Sequence, residues 1–180
     1  LYEHYIDCCK ERGISDIKDT VNRMLTLDYI IVNEDRHLNN FGLIRNAETL
    51  EYISAAPVYD SGTSMWFNIP TQNIKAGARD IGSKPFKTNH DDQIRLVDDF
   101  SWLDFDKLKG IDEEFAGILE NAPQIDEQRR DVLCNTLNMR IEMLKNIVEH
   151  SVKYTNLKSI GMEVEEDIAY SGNDDGMTLQ

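Results

Sequence analysis

Residues 17 to 32 carry Ile17, Val21, Met24, Leu25, Leu27, Ile31 and Val32, and the next eight, Asn33-Glu34-Asp35-Arg36-His37-Leu38-Asn39-Asn40, are polar except for Leu38. Apolar residues at helical spacing on more than one face predict a helix over 16 to 32 that is buried on most sides. The polar loop 33 to 40 therefore starts at the end of a buried helix. Asp28 lies inside the apolar run. A buried carboxylate there needs partners, and backbone N–H groups of the loop are one source. A solvent-facing Asp28 is the alternative. Upstream, Ser15 or Asp16 is placed to cap this helix, and Gly13 is a stop signal for a first helix over residues 1 to 12.

Downstream of the loop, residues 41 to 45 and 50 to 54 read as two short strands joined by the turn Asn46-Ala47-Glu48-Thr49. Pro57 ends the second, and Asp60-Ser61-Gly62-Thr63-Ser64 is a turn. Residues 67 to 89 form an irregular stretch with Pro70, Gly77, Gly82 and Pro85, and such segments inside compact domains are commonly functional. Lys75, Arg79, Lys84 and Lys87 stand in its central part against Asp80 alone. The segment Gly77-Ala78-Arg79-Asp80-Ile81-Gly82-Ser83-Lys84 is not a phosphate-binding loop. Its Ser and Lys are transposed, Pro85 follows, and no strand is evident before it. From about residue 90 the pattern is helical. Leu133, Leu137, Ile141, Leu144 and Val148 mark a core helix over 127 to 151, its stripe widened by Cys134, Met139, Met143 and Ile147. Residues 155 to 180 hold one lysine against six acidic residues and read as a solvated acidic tail.

At 180 residues and 41% hydrophobic content, the chain is long enough for one domain with a full core. The expected fold is mostly α with a small β-hairpin, over residues 1 to 154. A formal net charge of −14 opposes nucleic acid and anionic membranes as partners. Three cysteines, two of them adjacent, fit a reducing compartment rather than a disulfide framework. The four scattered histidines form no zinc-type spacing, and no apolar run reaches membrane-spanning length. The chain opens on Leu1 in what reads as mid-domain helix, so a piece of a longer protein is expected.

The chemistry lies in three residues. Asp35 and Asn40 are five apart in the polar loop, and Asp60 follows the two strands that return the chain. Phosphoryl transfer uses such groups in this order. One carboxylate orients the attacking hydroxyl; an amide and a second carboxylate hold the magnesium that bridges the nucleotide phosphates. Asn39 competes for the amide role but is off by one. A lone D-x-x-x-x-N is weak, because turns are rich in both residues. Its setting, after a buried helix and before two strands and Tyr59-Asp60-Ser61-Gly62, is what adds weight.

Residues 28 to 42, Asp28-Tyr29-Ile30-Ile31-Val32-Asn33-Glu34-Asp35-Arg36-His37-Leu38-Asn39-Asn40-Phe41-Gly42, and then Ala56-Pro57-Val58-Tyr59-Asp60-Ser61-Gly62, resemble the C-terminal lobe of the HipA-like kinases. These are bacterial Ser/Thr kinases of distant protein-kinase-like fold, some of them toxins of toxin–antitoxin pairs. The resemblance is densest over 28 to 62. It implies that Asp35 is the catalytic aspartate and that Asn40 and Asp60 are magnesium ligands, with ATP as the phosphoryl donor. His37 matches a catalytic-loop histidine, better suited to bracing the loop than to proton transfer. Arg36 is expected to pair with a carboxylate or a phosphate. The basic stretch with Lys75, Arg79, Lys84 and Lys87 would occupy the place of an activation segment over 67 to 89, docking substrate or triphosphate, or be an ordinary solvated loop. Residues 33 to 62 would hold the catalytic and metal loops, and 90 to 154 a helical bundle.

The implied activity is transfer of the ATP γ-phosphate to a protein Ser/Thr hydroxyl in a bacterial cytoplasm, with an antitoxin or other regulator as a further partner. Such a centre also needs an N-terminal lobe with a phosphate-covering loop and a strand lysine. No G-x-G-x-x-G occurs, and Lys10 and Lys18 both lie in helical segments. A missing N-lobe or a completing polypeptide is therefore expected, and the chain alone is expected to be nearly inactive. Two alternatives are a lipid or small-molecule kinase, and a non-catalytic interaction module built on the same lobe. Asn33 in place of the usual His two residues before Asp35 counts against the small-molecule enzymes.

Overall fold

The computed structural model describes residues 1–159 except 76, 79 and 80, with side chains as far as 151. It is mostly helical with one two-stranded antiparallel sheet. The chain divides into two compact units, residues 1–141 and 142–180. All the site residues lie in the first.

Helices α1 (Tyr2–Glu11) and α2 (Ile17–Ile31) pack through Tyr2, Ile6, Cys9, Ile17, Val21, Met24 and Leu25, all buried. Asp16 occupies the N-cap position of α2, but its side chain accepts no capping hydrogen bond. The end of α2 decides where the polar loop begins. Val32 turns left-handed at φ 53, and the N–H groups of Val32 and Asn33 both return to the Asp28 carbonyl. That is a Schellman-type stop, usually made with glycine. A β-branched residue there costs about 1–2 kcal/mol. Burial offsets the strain, because Val32 is fully enclosed in a small core with Trp66 and Ile81, flanked by Ile69 and Ile74.

The remaining carbonyls of the last turn find partners from elsewhere in the chain. Met65 N–H donates to the Ile31 carbonyl. Arg140, fully buried, donates from Nε and Nη2 to the Tyr29 carbonyl at 3.0 and 2.9 Å and stacks its guanidinium 3.9 Å from the Tyr29 ring centre. Helix ends need such partners when they are buried.

Strands β1 (Leu43–Arg45) and β2 (Tyr52–Ala55) pair Leu43 with Ala55, Ile44 with Ser54 and Arg45 with Tyr52, with a register shift after Ile44. Both are shorter than the pattern predicts. Leu50 sits at φ 63, outside strand geometry, as part of a turn in which Asn46 Oδ1 accepts from the N–H groups of Glu48 and Thr49.

Beyond residue 90 the expected helical region is made of separate helices. It contains α3 (His90–Ile94), a 3-10 turn over Phe105–Leu108, α4 (Ile111–Leu119) and the long α5 (Glu127–Ser159). Short polar side chains take the backbone donors between them. Asp99 Oδ1 accepts from Ser101 N–H at 2.7 Å and Asp104 Oδ1 from Asp106 N–H at 3.0 Å. Asp side chains that cap N–H groups in this way favour turns over helix. The α5 stripe is buried at Leu133, Leu137 and Ile141 in the first unit, and Leu144 is buried in the second. Met139 is exposed, so it does not widen the stripe as expected; Thr136 and Arg140 are buried in its place. Helix α5 extends past residue 151 to Ser159. The rest of the expected acidic tail lies outside the described residues. Among those residues no helix is long and apolar enough to cross a membrane.

His90 opens α3 beside the buried Arg140–Tyr29 stack, with its ring edge-on to Tyr29. Burial, reinforced by the Arg140 charge, pushes its imidazole from 6.5 down to about 3. The folded value lies below the unfolded one, so this contribution is complete above about 6.5 and is lost as pH falls from there toward about 3. Lowering pH from about 7 to about 5 should cost about 2 kcal/mol through this group. Urea unfolding at the two pH values checks it. His90→Phe should flatten the pH dependence over that window by the same amount.

Candidate active site

The loop 33–40 is assembled around two buried side chains. Asp28 is buried and does not face solvent. Its partners are side chains rather than the expected backbone N–H groups. Arg36 Nε donates to Oδ2 at 2.8 Å, Arg36 Nη2 to Oδ1 at 2.8 Å, and Asn33 Nδ2 to Oδ1 at 3.0 Å. Arg36 is fully buried in this two-pronged pair. Its third nitrogen, Nη1, donates to the Asn40 carbonyl at 3.0 Å, to the Tyr59 carbonyl, and to the Asp60 carbonyl at 3.4 Å. Nη2 also reaches Ser61 Oγ at 3.0 Å. Arg36 is therefore spent on the protein and docks no phosphate. It binds the backbones of the 33–40 loop and the 59–61 segment to a single planar group.

Asn33 is the second organiser. Its Oδ1 accepts from Thr63 Oγ1 at 2.8 Å and from Asp35 N–H at 3.3 Å, so the turn after Asp60 and the N–H of Asp35 share one acceptor. Tyr59 Oη donates to the Asn39 carbonyl at 2.8 Å, a further tie between the two segments.

Asp35 is half-exposed. Asn40 is buried and donates from Nδ2 to the Asp35 carbonyl at 3.1 Å. That fixes the amide and leaves Oδ1 without a hydrogen bond among the described residues. Asp60 is exposed at φ 54, a left-handed conformation that a non-glycine residue holds only when its surroundings impose it. Here the grip of Arg36 on the adjoining carbonyls does so. The Asp60 carboxylate has no hydrogen bond or ion pair among the described residues. An amide oxygen and a carboxylate, both hard and uncommitted, suit magnesium, which takes few protein ligands and completes its shell with water and phosphate. No three His, Cys, Asp or Glu side chains gather into an ion cage among the described residues.

His37 braces the loop. Its Nδ1 accepts from Asn39 N–H at 3.3 Å, which leaves Nε2 as the protonated nitrogen, 4.0 Å from Asp35 Oδ2. The nearest cation to Asp35 comes from far along the chain. Lys84 Nζ lies 2.6 Å from Asp35 Oδ1. This hydrogen bond, more than any other cause, holds the Asp35 carboxyl below its ordinary value.

Lys84 stands on a narrow loop shaped by Gln93. Gln93 is buried; its Oε1 accepts from Phe86 N–H at 3.1 Å and Lys87 N–H at 2.8 Å, while Nε2 donates to Ser83 Oγ at 3.1 Å and to the Lys84 carbonyl. Phe86 packs edge-on against Tyr2 and Phe41, with ring centres 5.2 and 6.0 Å away. Of the basic residues expected to dock substrate, the structure brings Lys84 alone to Asp35 among the described residues. Lys75 and Lys87 are exposed elsewhere on the segment, and Arg79 lies outside the described residues. Arg129 of α5 holds the earlier part of the segment, donating to the Trp66 carbonyl at 2.7 Å and the Ile69 carbonyl at 2.8 Å.

Asn33, Ser61, Thr63 and Gln93 were not anticipated as site residues. Asn33 had a signal, since a polar residue immediately after a buried helix commonly binds the helix end. Gln93 had none. Compared with protein-family models, with curated proteins and with solved structures, the chain finds no match in any of the three.

Removing Arg36 leaves Asp28 charged, buried and unpaired, the costly half of a broken ion pair. Arg36→Met should lower unfolding stability by about 3–5 kcal/mol, measured by chemical denaturation. Arg36→Lys should recover only part of it, because an ammonium cannot span both carboxylate oxygens and three carbonyls at once.

Proposed function

We propose that this chain is the catalytic lobe of a HipA-like kinase and transfers the ATP γ-phosphate to a Ser/Thr hydroxyl of a protein. The observation that carries the proposal is the Arg36 clamp. The three residues singled out by spacing, element order and the family resemblance belong to segments that share one buried guanidinium, with Asn40 bonded to Asp35 and the Asp60 backbone on the same nitrogen as that of Asn40. A solvated loop of turn-forming Asn and Asp residues has no need of such a core.

In this proposal Asp35, as a carboxylate, orients the acceptor hydroxyl and takes its proton as the new P–O bond forms. Asn40 Oδ1 and the Asp60 carboxylate would hold magnesium, which when bound neutralises charge on the nucleotide phosphates. Lys84 is placed to balance negative charge at the receiving end. His37 steadies the loop. Residues that cover the far side of the nucleotide would come from an N-terminal lobe or a completing polypeptide. An antitoxin-type regulator and a bacterial cytoplasmic setting belong to the same proposal.

The exposed apolar residues of the hairpin, Ile44 at 40%, Leu50 at 55% and Ile53 at 59%, are in keeping with cover from such a lobe.

In the full-length product of the encoding gene, Asp60→Ala should abolish magnesium-dependent ATP binding in calorimetry. Asp35→Asn should keep ATP binding within about twofold while lowering phosphate transfer by about 10²–10⁴. Equal ATP binding by wild type and Asp60→Ala would remove the metal assignment and leave the scaffold alternative.

A further inference from the structure

An open cleft of about 430 Å³ lies against Asp35, lined by Glu34, Thr63, Phe67, Gly82, Ser83, Lys84 and Thr88. Neither Asn40 nor Asp60 lines it, so on the kinase reading it would take the acceptor rather than the metal. Its charges do not balance. Lys84 is paired with Asp35, whereas the Glu34 carboxylate has no hydrogen bond or ion pair among the described residues. Glu34 cannot turn freely away from the cleft at its backbone. Its N–H is bonded to the Thr63 carbonyl at 3.4 Å, and its neighbours Asn33 and Asp35 are both tied into the loop. Gly82 faces it across the cleft, where a Cβ would lie 4.0 Å from Glu34 Oε2, an ordinary van der Waals contact. Surrounding protein pushes its carboxyl above the ordinary range.

Two carboxylates and one ammonium leave a single negative charge seeking a cation. Phe67, 60% exposed, adds an open aromatic ring to the same wall. A carboxylate and an exposed ring together suit a guanidinium better than an ammonium, because the planar group can make charge-assisted bonds in its plane and stack on its face. The acidity of the whole chain attracts the same kind of partner.

We propose that this cleft is a specificity subsite for a basic side chain, arginine by preference, adjoining the Ser/Thr that accepts phosphate, with Glu34 as its counter-ion and Phe67 as its stacking face. The inference rests on the kinase reading of Asp35, which supplies the acceptor hydroxyl at the cleft's edge. It narrows the substrate class to hydroxyls in basic sequence.

Two measurements on the full-length protein test it. In the first, Ser peptides that carry Arg, Gln or Glu beside the acceptor are compared as substrates with ATP and magnesium. The Arg peptide should exceed the Gln peptide by about tenfold in kcat/KM, the worth of about one charge-assisted contact. Glu34→Gln should bring that ratio close to one, and Glu34→Lys should reverse it in favour of the Glu peptide. In the second, a fluorescent Arg peptide with Ala in place of Ser is titrated without ATP, and Glu34→Gln should weaken its binding by about tenfold. Phosphorylation of all three peptides at the same kcat/KM, unaffected by Glu34→Gln, overturns the subsite and leaves the kinase reading standing. Absence of transfer to any peptide, with Arg-peptide binding still dependent on Glu34, supports the basic subsite and removes the kinase reading. Absence of both overturns the two together.

Discussion

One buried ion pair governs the shape of this site. Asp28 and Arg36 are both withdrawn from solvent, at a desolvation cost that their mutual attraction repays only when the remaining lone pairs and protons also find partners. Here they do. Asn33 takes part of the Asp28 carboxylate, and three carbonyls and a hydroxyl take the rest of the Arg36 guanidinium. A pair satisfied in this way is poor evidence of added stability but strong evidence of geometric constraint. Planarity matters most. A fork rigid enough to bind both oxygens of Asp28 has its third nitrogen aimed in a fixed direction, and the segments carrying Asn40 and Asp60 both answer to it.

Of the five non-glycine residues with positive φ among the described residues, Leu50 belongs to the hairpin turn, and the other four lie in the segments that flank the site. Val32 at φ 53 ends the helix that bears Asp28, Asp60 at φ 54 follows a carbonyl held by Arg36, and Met65 and Trp66 at φ 55 and φ 52 return the chain to the core. Left-handed geometry at non-glycine residues costs energy and persists where packing or hydrogen bonds over-determine it. Each of these has such a restraint: the Val32–Trp66–Ile81 core, the Arg36 fork, and the bonds from Met65 N–H to Ile31 and from Arg129 to the Trp66 carbonyl. The four residues that flank the site, Val32, Asp60, Met65 and Trp66, are thus each held by named contacts where the two loops meet.

Much of this scaffold was legible in the residues. Periodicity revealed α2 and the α5 stripe because burial on a helix repeats at a fixed interval, and turn chemistry at Asn46 revealed the hairpin. Spacing picked out Asp35, Asn40 and Asp60 as a group. Contacts made across long stretches of chain were not legible. Asp35 and Lys84 are 49 residues apart, and no local pattern singles out Lys84 from Lys75 or Lys87. Arg36 was recognised as a residue in need of an anion, but its carbonyl partners at 59 and 60 follow from the return path of the hairpin, which pairing register alone sets. The helical pattern from about residue 90 did not reveal where its helices break, because Asp99 and Asp104 mark those breaks by taking N–H groups that a helix would need. Arg129 and Arg140 interrupt an otherwise apolar stripe. They are visible there as charges, but only the fold reveals that they anchor the Trp66 segment and the end of α2.

The candidate centre therefore rests on two supports of different character. Asn40 and Asp60 hang from a buried clamp that cannot be loosened without exposing a charge inside the protein. Lys84 is carried by a separate loop, organised by Gln93 and pinned through Phe86 to α1. The two supports meet at Asp35 in a half-exposed ion pair, and such pairs contribute about 0–1 kcal/mol. A weak link between two firmer supports leaves Lys84 the more easily displaced partner of Asp35, while the Asn40 and Asp60 segments stay tied to Arg36. The proposed phosphotransfer centre would use that division: its acceptor side would open for each new substrate, while the groups proposed to receive the nucleotide kept their geometry.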